Sequence, residues 1–190
     1  FASVIGGVAY MMSGQVSSLV SAGHDGKLFV SALFPLVLLV ITWGMRDAKQ
    51  WAWGVLALVI GLAVLSPHPQ LLQYLLLTAG CWALFLAFAA EGEQKLPTSV
   101  ALQRLGFALG AAVLGMAIGA IQYLPVREYV DWSPRSGGRD YAYSTSFSLP
   151  LEEIINTYLP QFSGILDNYW GRNGIHFHSE YVGSAVLLLA

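Results

Sequence analysis

Charge is what this chain has least of. Only 11% of its 190 residues are Asp, Glu, Lys or Arg, against 56% that are hydrophobic, whereas soluble domains carry roughly 25% charged residues. A water-soluble domain of this length would need more charge to cover its surface. The formal net charge of −2 leaves no basic excess to draw in nucleic acid. Cysteine is almost absent as well. The single Cys81 lies in an apolar run, so there is neither an internal disulfide framework nor a zinc-ligand spacing. The sequence also lacks a Gly-rich phosphate loop ending in Lys-Ser/Thr, a nucleophile elbow and a His-Glu-x-x-His pair. These absences argue against an ATPase, a serine hydrolase or a zincin.

What the sequence has is long uncharged runs. Residues 28–45, 51–90 and 105–126 contain no Asp, Glu, Lys or Arg. A helix needs about 20 apolar residues to cross a hydrocarbon core about 30 Å thick. The chain therefore reads as all-α, a polytopic transmembrane helical bundle. Helices are expected over 28–45 with a kink at Pro35, over 51–65, over 71–90 and over about 105–124, the last ended by Pro125. The 51–65 run is short for a crossing, so a re-entrant segment fits it too, and Trp51 and Trp53 sit as interfacial anchors. Residues 1–20 mix apolar side chains with Ser3, Gly6, Gly7, Ser13 and Gly14, a composition that suits a helix packed closely among other membrane helices. Gly106, Gly110, Gly115 and Gly119 offer similar close contacts.

Three regions follow. Residues 1–125 are expected to form transmembrane helices with short loops. Residues 126–181 form a long extracytoplasmic loop segment with a short amphipathic helix over 151–159 on the membrane surface. Residues 182–190 start a transmembrane helix too short to span. Because the chain opens without Met and stops inside an apolar run, it is expected to be an internal fragment of a larger protein. If every helix crosses, the turns at His24 and His68 and the 126–181 segment share one side. Arg46, Lys49, Lys95 and Arg104 occupy the short loops of the other side, which the positive-inside rule assigns to the cytoplasm.

The polar chemistry collects on the first of these sides. His24, Asp25 and Lys27 stand where a polar turn leads into a helix. Asp25 can cap that helix while Lys27 snorkels. Alternatively the helix N-terminus and Lys27 hold a phosphate, with Asp25 or His24 handling protons or a sugar hydroxyl. His68 between two prolines, followed by Gln70, is either a water-facing helix break or a ligand contact. Gln122, deep in an apolar helix, requires a hydrogen-bond partner. Arg135 is a potential bidentate phosphate donor. Tyr169 and Trp170 offer flat faces for sugar stacking or for the membrane interface. His176, His178 and Glu180 alternate, so in a strand they share one face and could hold a divalent metal.

Taken in order, Gly23-His-Asp-Gly-Lys-Leu28, Ser66-Pro-His-Pro-Gln70, Ala120-Ile-Gln-Tyr-Leu-Pro125, Glu128-Tyr129, Ser133-Pro-Arg135, Leu159-Pro-Gln-Phe162, Tyr169-Trp-Gly171 and Glu180-Tyr-Val-Gly183 form a series. It resembles the YfhO family of bacterial membrane proteins, itself similar to the GT-C glycosyltransferases. The resemblance implies a GT-C-like fold in the bacterial cytoplasmic (inner) membrane, a polyprenyl-phosphate sugar donor and a cell-envelope acceptor. It also implies that Asp25, Lys27, His68, Gln70 and Arg135 line the donor or acceptor pocket. The family's acidic residue regarded as the catalytic base is expected upstream of Phe1, and that role does not pass to Asp25. Two competing readings are a transporter or lipid flippase, which would place polar residues at mid-membrane on several helices, and a non-catalytic subunit of a membrane complex.

Overall fold

A computed structural model describes residues 1–21, 23–66, 68–89, 95–133, 136, 140–146, 148–164, 166–172, 181–183 and 188. Among the described residues the chain is helical, with no strand. The elements run α1 (Ala2–Met11), α2 (Gly14–Ser21), α3 (Asp25–Met45), α4 (Trp51–Leu65), α5 (Pro69–Phe88), α6 (Thr98–Val130) and α7 (Tyr141–Thr145). Two 3-10 helices, Leu151–Thr157 and Leu166–Asn168, follow. The chain divides into a central unit, residues 29–133, and a terminal unit, residues 1–28 with 134–190.

Among the described residues three helices, α3, α5 and α6, are long and apolar enough to cross a membrane, which marks the chain as a membrane protein. α4 has 15 residues, about 22 Å at 1.5 Å per residue, and falls short of the bilayer core. It is apolar on every side. Ala52, Trp53, Leu56, Ala57, Val59, Ile60, Gly61 and Ala63 are buried, while the stripe of Trp51, Leu58 and Leu62 stands exposed.

α4 packs chiefly on α6, and glycines set how close they come. A Cβ on Gly115 would lie 2.6 Å from the Ala57 carbonyl oxygen. One on Gly61 would lie 3.0 Å from Ile118, and one on Gly119 would collide with Val64. Trp53 meets Phe107 with ring centroids 6.2 Å apart. Residue numbers rise together along both helices, so α4 and α6 are parallel. α3 precedes α4 across a tight turn where a Cβ on Gly44 would strike the Trp53 ring at 2.5 Å. Further bonds tie the neighbours. Trp82 Nε1 of α5 donates to Thr42 Oγ1 of α3 at 3.0 Å, and Arg104 Nη1 donates to the Met45 carbonyl. The second bond satisfies one of the carbonyls a helix end leaves open.

Several expectations require correction. The segment 1–20 is two helices broken at Met12 and Ser13, and α1 buries none of its residues. Pro125 does not end the fourth long helix, which runs from Thr98 through Pro125 to Val130. Proline forfeits one backbone bond, yet its fixed φ is helical, and such breaks are tolerated in membrane helices. Gly106 and Gly110 have open space where a Cβ would stand, so only Gly115 and Gly119 make close contacts. The short helix expected over 151–159 is a 3-10 helix. The helix expected from 182 lies mostly outside the described residues.

Candidate functional site

The central unit contains an apolar groove of about 470 Å³. It exists because α5 supplies small residues where it faces α6. Ala79, Gly80 and Ala83 stand opposite Ala108 and Ala112, with Ile60 of α4 forming part of the wall. Small residues at spacings of three and four share one helix face, so both helices present a shallow surface. Every lining side chain is apolar. Ligand pockets of this size usually carry a few polar groups that orient the ligand. A groove without them can take a hydrocarbon chain but gives a polar headgroup nothing to bind. The small-residue spacing on α5 and α6 was the available sequence signal for it, and sequence reasoning passed over it.

The polar residues singled out from sequence fall at helix ends. Gly23, at φ +67°, closes α2: its N–H donates to the Val20 carbonyl at 3.1 Å, and the His24 N–H donates to Leu19 at 3.0 Å. This bond pair is the Schellman arrangement, in which glycine takes the left-handed position. The His24 carbonyl then accepts from Leu28 N–H at 3.0 Å, so His24, not Asp25, occupies the cap position of α3. Asp25 is exposed in the first turn, where the helix dipole favours a negative charge, and Lys27 is half-buried.

His68 caps α5. Its Nδ1 accepts from the Leu71 N–H at 3.2 Å, with Pro69 at the first helical position, where proline's missing N–H costs nothing. Gln70 Nε2 donates to the Tyr74 hydroxyl at 3.0 Å. Gln122 is half-buried within α6. In the central unit these three contribute nothing to the groove wall.

The terminal unit holds a compact polar cluster that the sequence did not advertise. Glu153 accepts from the Tyr169 hydroxyl at 2.7 Å and from the Arg172 backbone N–H at 3.0 Å, both at Oε1. Ser163 Oγ approaches its Oε2 at 3.4 Å. Asn156 Nδ2 donates to Ser163 Oγ at 2.6 Å, and Ser163 N–H donates back to Asn156 Oδ1 at 3.1 Å. A Cβ on Gly171 would collide with the Glu153 carboxylate and the Tyr169 hydroxyl, so this crossing requires glycine. Tyr169 therefore spends its hydroxyl on Glu153. Trp170 is exposed and held edge-on to Phe162, with centroids 5.6 Å apart, and its Nε1 donates to the Phe162 carbonyl at 3.2 Å.

Glu152 and Arg172 form an ion pair beside this cluster. The Glu152 carboxyl is held below its ordinary value by a backbone hydrogen bond first and by Arg172 second. Arg135, His176, His178 and Glu180 lie outside the described residues. Among the described residues no group of three or more His, Cys, Asp or Glu side chains is placed to hold a metal ion. No protein-family model, curated protein or solved structure matches the chain.

Proposed function

We propose that the chain binds a lipid-linked substrate as part of a glycosyltransferase-like, multi-pass protein of the bacterial cytoplasmic membrane. The reaction transfers a sugar from a polyprenyl-phosphate donor to a cell-envelope acceptor. The observation that carries the reading is the wholly apolar groove among α4, α5 and α6, a place for a hydrocarbon tail inside a unit of membrane-crossing helices. The choice of a sugar donor rests on the motif series that resembles the YfhO family. In this reading a base takes the proton of the acceptor hydroxyl as the sugar–phosphate bond breaks and polyprenyl phosphate leaves. The resemblance also gives Asp25 and Lys27, in the first turn of α3, to the donor or acceptor pocket.

The test is release of polyprenyl phosphate from polyprenyl-phosphate sugars in membranes holding the protein. Wild type is expected to release it. Asp25→Asn should lower the rate if this turn serves the reaction, while costing only about 0.3–1 kcal/mol of helix-dipole stabilisation. Ala108→Phe, which fills the groove, should raise the donor concentration required. A folded protein that releases nothing with any donor sinks the proposal.

A further inference from the structure

The segment 151–172 is built inside out. Residues i and i+3 eclipse one another in a 3-10 helix, so Glu153 and Asn156 share one face of Leu151–Thr157, and Leu151 and Ile154 share another. The polar face is the buried one. Glu153 and Ser163 are each 3% exposed, whereas Leu151 is 82% exposed, Trp170 55% and Tyr158 54%. A segment surrounded by water would do the reverse, since removing apolar surface from water is the main favourable term in folding.

We propose that this apolar face docks on the lipid bilayer, with Leu151, Ile154, Tyr158, Leu159 and Trp170 seated at the boundary between headgroups and acyl chains. Three observations favour lipid as the occupant. First, the chain carries helices able to cross a membrane, so a bilayer is at hand. Second, aliphatic side chains with Trp and Tyr are the composition of interfacial surfaces. Third, the face itself offers little charge to oppose burial at a membrane surface. Glu153 is buried and Glu152 is neutralised by Arg172, so neither carboxylate presents a free negative charge. The remaining acid of the segment, Asp167, stays exposed on the separate 3-10 helix Leu166–Asn168. Inward-turned polar groups satisfied by one another are what a low-dielectric boundary requires.

Fluorophores on single cysteines, in a Cys81→Ser background reconstituted into vesicles, test the docking. Probes at Leu151→Cys, Ile154→Cys and Leu159→Cys should be quenched by brominated acyl chains and shielded from aqueous iodide. A probe at Asp167→Cys, where the native charge requires water, should behave the opposite way. Strong iodide quenching at the first three sites overturns the proposal. So does shielding from both quenchers, which would place a second copy or another protein surface on the face. Where a variant fails to fold, wild-type protein labelled by a photoactivatable lipid gives the same decision. Label in the peptide 151–170 is expected, and its absence overturns the docking.

Discussion

At the scale of single residues, the corner around Gly23 shows how a motif that looks chemical can also be structural. Three ionisable groups in four residues suggested a headgroup site. In the fold, Gly23 supplies a left-handed φ that ends α2, and His24 supplies the carbonyl that opens α3. Gly23→Ala should cost about 1–2 kcal/mol, the strain of a Cβ in that region, while Gly23→Asn should cost less because Asn tolerates it. Thermal unfolding in detergent measures both. The sequence made the polar turn legible, but not the division of labour within it, because that depends on which backbone groups the flanking helices leave open. The Glu152–Arg172 pair permits a second test. The folded pKa of Glu152 is depressed, so its contribution is present above the ordinary carboxylate value and is lost as pH falls through the lower folded one. A carboxyl-carbon NMR titration should therefore find Glu152 protonating below the ordinary glutamate range. Arg172→Gln should move it only part of the way back, since the backbone hydrogen bond, the larger cause, remains.

At the scale of elements, apolar runs declared the helices, whereas their ends and their facing did not show. A run without charge fixes that a segment is helical in lipid, because only internal bonding satisfies the backbone there. Where the run stops is another matter. Thr98–Val130 absorbs Arg104 near its start, and Pro125 and Arg127 near its end, which in water would read as boundaries. The facing of α6 was equally hidden, since a helix apolar all round offers no polar side to orient it. Only packing separates Gly115 and Gly119, pressed on α4, from Gly106 and Gly110, which face open space. This distinction is testable. Gly115→Leu should destabilise the protein by about 1–3 kcal/mol, the usual cost of overpacking, and the backbone carbonyl of Ala57 cannot move aside cheaply. Gly106→Ala and Gly110→Ala should be neutral or stabilising by up to about 1 kcal/mol, the difference in helix propensity. In lipid there is little hydrophobic drive between helices, so close van der Waals packing at these glycines carries the α4–α6 association. Titration with SDS in mixed micelles would rank the variants.

For the molecule as a whole, the decisive question is whether α4 returns the chain across the membrane. Within the central unit α4 and α6 run in one direction, and α3 and α5 in the other. Trp43, Trp51 and Lys49 gather at one end, with Lys49 Nζ 4.9 Å from the Trp43 ring centroid, and Arg104 reaches Met45 beside them. Tyr129 and Trp132 stand exposed at the far end of α6. Aromatic and basic residues prefer the two interfaces, so both ends of the unit look like membrane surfaces. α4 is the weak link, at about 22 Å against a core of about 30 Å. A short helix can still cross where the bilayer thins or flanking residues snorkel. Single cysteines at Lys49, Lys95, Gln70 and Asp131, in a Cys81→Ser background, decide the matter with a membrane-impermeant maleimide. Lys49→Cys and Lys95→Cys should label from one side, and Gln70→Cys and Asp131→Cys from the other. If Lys49→Cys and Gln70→Cys label from the same side, α4 is re-entrant and the parity that puts the His24 and His68 turns together fails. If they label from opposite sides, the basic turn of Arg46 and Lys49 should prove to be the cytoplasmic one, because short basic loops resist translocation.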